Sequence, residues 1–176
     1  MASVITYNLY SLGWHSFQQL CLSITREILG QTVESYLDSN DGGKDGAFAG
    51  KWNPIGQELI TGSFIIQCKF SGKINSRLTV SDLKEEFPKI AKLVKAGRCD
   101  CYVILTNSGI SGQQVDKIKN KLESLGVNHT YIFGYSWICQ QIHENRNLRT
   151  SIPRLYGLGD LSQILDNRAY GQAKRC

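Results

Sequence analysis

Apolar positions recur along the chain with two different periods. Between residues 13 and 29, Phe17, Leu20, Cys21, Ile24 and Ile28 fall at helical spacing, giving one stripe of an amphipathic helix. Gly30 stands next, where a C-terminal cap belongs. Ser63 to Phe70 reads differently. It is a run of apolar or β-branched residues opened by Gly62 and closed by Ser71-Gly72, the pattern of a buried strand. Successive strand side chains point to opposite faces, so Phe64, Ile66, Cys68 and Phe70 share one face, and Ile65, Gln67 and Lys69 the other. An amide buried without a partner costs roughly 2–7 kcal/mol. Gln67 and Lys69 therefore require polar company.

The remaining pattern predicts alternating elements. Gln31 to Leu37 is a modest strand, followed by the turn cluster Asp38 to Gly46 and a short strand from Gly46 to Gly50. Residues 51–62 connect it to the central strand. Thr79-Val80-Ser81-Asp82 is a capping box for a helix to about Lys95, which Pro88 should kink or divide. Cys101 to Leu105 is an apolar strand, Ser111 caps a helix to about Leu125, Thr130 to Phe133 is a further strand, and Gly134 opens a helix to about Glu144. A helix and antiparallel strands followed by strand–helix alternation predict an α/β sandwich around a mixed sheet with a right-handed crossover. The expected division is a folded domain over residues 10–149 and a tail over 150–176, with an irregular lead from Ser151 into a polar helix. The terminal Lys174-Arg175-Cys176 has no turn or cap, as if the chain continued into a longer protein.

Composition adds little to that picture. The chain has 176 residues, 41% hydrophobic and 20% charged, values of an ordinary globular domain. Its net charge of +5 is compatible with a polyanionic partner. The cysteines at 21, 68, 99, 101, 139 and 176 include no CxxC pair, and Cys99-Asp100-Cys101 lacks a zinc-like companion. They read as reduced thiols of a cytoplasmic protein. No signal peptide or membrane-spanning run is present. His15, His129 and His143 match no triad or metal spacing.

The candidate chemistry lies around Gln67. Asp45 ends a turn containing Gly42 and Gly43, and an antiparallel connection would carry it beside Gln67 and Lys69. Hard divalent cations such as Mg2+ prefer oxygen ligands. Asp45 would be the anionic ligand, the Cys68 backbone carbonyl a neutral one, and Gln67 would supply or orient another. Lys69 would stabilise a water-derived hydroxide or charge building on a scissile phosphate. Glutamine in place of a second acid leaves such a site one negative charge short. Glu27, on the shoulder of the helical stripe, can look into a cleft between helix and sheet and restore it. The structural alternative for Glu27 is a pairing with a cation such as Arg26, and Glu34 and Asp41 lie nearby in sequence. Lys44, Lys51, Lys73 and Arg77 flank the site in sequence as candidate phosphate contacts. The lysines at 84, 89, 92 and 95 read mainly as a solvated helix face.

Glu27 on a helix, then Gly42-Gly43-Lys44-Asp45-Gly46, then Gln67-Cys68-Lys69, resembles the PD-(D/E)xK superfamily, specifically Mrr-like restriction endonucleases with glutamine in the third motif. The resemblance covers residues 10–145. It implies a restriction-endonuclease-like mixed sheet sandwiched by helices, with Asp45, Gln67, Lys69 and Glu27 as catalytic residues. It further implies Mg2+ held by Asp45, Glu27, Cys68 and Gln67, with Mn2+ able to substitute, and double-stranded DNA as substrate. A homo-oligomer is expected from the need to cut both strands. A looser resemblance, from Ile152 to Tyr170, is to the linker leaving the nuclease effector of bacterial anti-phage STAND ATPases. It implies downstream ATPase and sensor domains and a role in defence. The alternative is a nuclease-fold module that only binds nucleic acid or a protein partner.

Overall fold

The computed structural model describes residues 6–29, 34–35, 46–52 and 59–155. Helix α1 spans Trp14–Leu29. Its stripe is buried as the spacing requires, with Phe17, Leu20, Cys21 and Ile24 fully enclosed. Strands β1 (Glu34–Ser35), β2 (Gly46–Trp52), β3 (Ile60–Lys69), β4 (Cys101–Thr106) and β5 (His129–Phe133) form one sheet in chain order. The pairs β1–β2 and β2–β3 are antiparallel, whereas β3–β4 and β4–β5 are parallel. The sheet is thus mixed, with the antiparallel part first. Every residue of β4 is buried, the pattern of a strand covered on both faces.

Two boundaries differ from expectation for a physical reason. β3 begins at Ile60, so Gly62 lies inside the strand and not ahead of it. There the Asp100 carboxylate accepts the Ser63 N–H at 2.8 Å. A Cβ on Gly62, at φ +150°, would stand 2.5 Å from Asp100 Oδ2. The glycine marks a close approach and not a turn. The segment expected as a connector also gives Lys51 and Trp52 to β2. Trp52 is buried, with its ring 4.8 Å from that of Tyr131.

The helix expected from Thr79 to Lys95 is divided, as Pro88 foretold. A 3-10 turn at Val80–Leu83 carries the Thr79–Asp82 capping box, and α2 runs from Phe87 to Lys95 with Pro88 in its first turn. Proline is tolerated there because the missing N–H has no intrahelical acceptor. Helix α3 (Gly112–Ser124) starts under the Ser111 cap, α4 spans Tyr135–Glu144, and α5 spans Arg146–Leu155. The irregular segment expected from Ser151 is helical to Leu155 instead. The reason is packing: Leu148 is buried and Ile152 partly buried against α1 and α4.

These elements make three layers. One face of the sheet, with Phe64, Ile66 and Cys68, packs against α1, α4 and α5 through Phe17, Ile24, Ile138 and Leu148. The other, with Ile65, Tyr102 and Ile104, packs against Leu83, Ile90, Ile118 and Leu122 of the 3-10 turn, α2 and α3. Burying each large side chain contributes roughly 1.5–3 kcal/mol, so both faces of β3 are held firmly.

Candidate active site

Gln67 and Lys69 leave β3 on the α2–α3 face, where the strand passes beyond its apolar stretch. Gln67 is buried, and its amide is oriented from the neighbouring strand, since the fully buried Tyr102 hydroxyl donates to Oε1 at 3.2 Å. The Gln67 amide nitrogen approaches the Cys68 carbonyl at 3.5 Å. Lys69 Nζ donates to Glu86 Oε1 at 2.8 Å, and Lys89 holds the other carboxylate oxygen at 3.3 Å. Glu86 is itself 7% exposed, between the enclosed Leu83 and Ile90. Burial pushes its carboxyl pKa up, but the hydrogen bonds and charges of Lys69 and Lys89 outweigh that and leave it below the usual 4.5. The polar company that the strand required is thus Tyr102 and Glu86.

The chain beyond Lys69 is fastened to the segment that follows β4. Asn107 accepts the Ser71 N–H at 2.8 Å and donates to the Ser71 carbonyl at 2.7 Å. Ser76 and Ser108 share a 2.7 Å hydroxyl bond, and Arg77 bridges to Gly109. Between these anchors the loop exposes Lys73, Ile74 (63%) and Arg77, and Asn75 takes a left-handed conformation at φ +56°, which asparagine tolerates. The loop holds two of the expected phosphate-contacting cations directly after Lys69.

The other expected residues fall less uniformly. Asp45, Lys44, Gly42, Gly43 and Asp41 lie outside the described residues, but Gly46, next to Asp45, pairs with Ile66, next to Gln67. Glu27 does not look into a helix–sheet cleft. It is exposed on α1, which packs on the opposite face of the sheet, and its Oε2 accepts from Asn147 of α5 at 3.2 Å. Helix α5 provides this partner, and its helical course was not expected. Lys51 pairs with Thr61, eight residues before Lys69. At about 3.3 Å per residue this puts it about 26 Å along the strand, so it does not flank Lys69 in space. Cys68 turns its side chain to the α1 face and keeps only its backbone near Gln67. Sequence reasoning missed Glu86 and Tyr102. Glu86 did leave a signal, since its spacing from Leu83 and Ile90 sets a carboxylate on an apolar stripe.

A model for restriction endonucleases, Mrr_cat, matches residues 9–123, more than half of the chain. The chain belongs to this restriction endonuclease family. No curated protein matches it significantly. The family accounts for the restriction-endonuclease-like α/β fold and suggests nuclease activity. The match begins just ahead of α1 and ends within α3, so it takes in β3, Tyr102 and Glu86. Restriction-endonuclease-like domains usually use divalent metal ions. The donors near Gln67, an amide oxygen and a backbone carbonyl, are hard oxygen ligands that fit such an ion. Among the described residues no group of three or more His, Cys, Asp or Glu could hold a metal. The described helices include none long and apolar enough to cross a membrane.

Proposed function

We propose that the chain is a metal-dependent DNA endonuclease whose active site is built around Asp45, Gln67 and Lys69. The observation that carries this reading is the pair Gln67 and Lys69, two long polar side chains at the end of a buried strand, each held by a partner on the same face. Structural burial alone would favour apolar residues there. The Gly46–Ile66 pair brings the start of β2 beside the residue before Gln67, and Asp45 directly precedes Gly46 in sequence, which supports Asp45 as the anionic ligand.

A bound Mg2+ or Mn2+ would supply Lewis acidity toward the phosphate and lower the pKa of its water. Asp45, Gln67 and the Cys68 carbonyl would hold it. Glu27, bonded to Asn147 on the opposite face of the sheet, is left outside this ligand set. Lys69, fixed by Glu86, would place an ammonium against charge developing on the phosphate oxygens, where a preorganised donor counts most. Lys44, Lys73 and Arg77 would hold neighbouring phosphates, giving affinity without sequence preference. Double-stranded DNA as the substrate, cleavage of both strands by a homo-oligomer, and service as the effector of an anti-phage defence protein complete the proposal. The last part rests on the looser resemblance beyond Ile152.

The test is incubation of supercoiled plasmid with Mg2+, Mn2+ or EDTA, using the wild type, Asp45→Ala and Lys69→Ala. Nicking that requires metal and disappears in both variants is the expected result. Cleavage that survives both substitutions would overturn the site.

A further inference from the structure

We propose that Glu86 is the positioning residue for Lys69. The inference deepens the nuclease reading of this face and rests on it. A lysine carries a compact charge on a flexible four-carbon stem, so its sequence position fixes the ammonium only loosely. Lys69 is the last residue of β3, where the strand ladder ends. Catalysis requires the charged group to be held to a fraction of an ångström by residues that are themselves locked.

Glu86 meets that requirement. It sits at the N-cap of α2, with its N–H bonded to the Leu83 carbonyl at 3.0 Å and its carbonyl accepting from Ile90 at 2.9 Å. Leu83 and Ile90, both fully buried, anchor that backbone in the core. The helix N-terminus favours a negative charge. The carboxylate directs one oxygen to Lys69 at 2.8 Å and the other to the more exposed Lys89 at 3.3 Å. The carboxyl stays ionised despite its burial, so the pair acts as a charged strut between α2 and the end of β3. Glu86 touches no reacting atom and acts through Lys69.

The experiment is single-turnover cleavage of supercoiled plasmid in Mn2+, with DNA affinity measured separately in Ca2+, for wild type, Glu86→Gln, Glu86→Asp and Lys69→Ala. Glu86→Gln is close in shape and keeps a hydrogen-bonding group, so the fold is retained. A supporting partner of an active-site group is typically worth about ten- to hundredfold in activity. The saturated cleavage rate of Glu86→Gln should fall by that factor while DNA affinity stays within about twofold, and Glu86→Asp should recover part of the loss. A purely structural role would change melting temperature without this split between rate and affinity. Wild-type cleavage rates in Glu86→Gln, or an equal loss in Glu86→Asp and Glu86→Gln, would overturn the positioning role while leaving the nuclease reading intact. A wild type that does not cut, or a Lys69→Ala that cuts normally, would overturn both.

Discussion

Asn107 offers a quantitative test of how the site is held. Its side chain is buried at the end of β4 and clasps both backbone polar groups of Ser71 at 2.8 and 2.7 Å. A hydrogen bond contributes about 0.5–1.5 kcal/mol net, so removing both costs about 1–3 kcal/mol. Ser71 is half-buried, and water can reach part of what is freed, which holds Asn107→Ala near ~2 kcal/mol. For a chain of this size that corresponds to a melting-point loss of about 4–8 °C. Asn107→Asp keeps an acceptor for the Ser71 N–H but turns a second oxygen toward the Ser71 carbonyl, so it should cost at least as much. Urea denaturation read by fluorescence and circular dichroism gives the free energy. Limited proteolysis should show faster cutting between residues 71 and 77 than in the wild type. A loss under about 0.5 kcal/mol, with unchanged proteolysis, would refute the claim that this clasp anchors the loop after Lys69.

Other parts of the structure give further expected outcomes. Gly62→Ala forces a Cβ to within 2.5 Å of Asp100 Oδ2 at φ +150° and should destabilise the fold by at least about 2 kcal/mol, measured by urea titration. The Glu86 carboxyl lies below its usual 4.5 in the folded state, so its ion pairs stabilise the fold above that pH. The contribution is lost as pH falls through the lower folded value. The stability gap between wild type and Glu86→Gln should therefore be flat near neutrality and narrow in acid below about pH 4.5. If Lys73 and Arg77 contact phosphates, alanine at either should reduce the slope of log affinity against log salt by about 0.9, read by fluorescence anisotropy with duplex DNA.

Much of the fold was legible because its determinants are local. The α1 stripe, the alternation along Ser63 to Phe70 and the Thr79 capping box each carry their structure within a few residues. Pro88 marked the helix division for the same reason. What escaped the sequence depends on distant partners. Gly62 read as a strand opener until Asp100, far along the chain, was placed beside it. Helix α5 has weak signals of its own and acquires its place through Leu148 and Ile152 against α1. That placement draws Glu27 to Asn147 and away from the cleft its spacing suggested. The site was legible as a demand more than as a solution. Gln67 and Lys69 announced that polar partners must exist, but Tyr102 and Glu86 answer across the strand ladder and the crossover. Lys51 failed as a neighbour of Lys69 because proximity in sequence runs along a hairpin whose two ends lie far apart.

The most direct test of a cation site at this end of β3 is affinity cleavage of the protein by bound iron. Fe2+ replaces Mg2+, ascorbate and peroxide generate radicals at the bound ion, and fragment masses locate the cuts. Cuts close to residues 45 and 67–68, suppressed by excess Mg2+ and absent in Asp45→Ala, are the expected result. Cuts confined to other segments, or an identical pattern in Asp45→Ala, would contradict a cation site here.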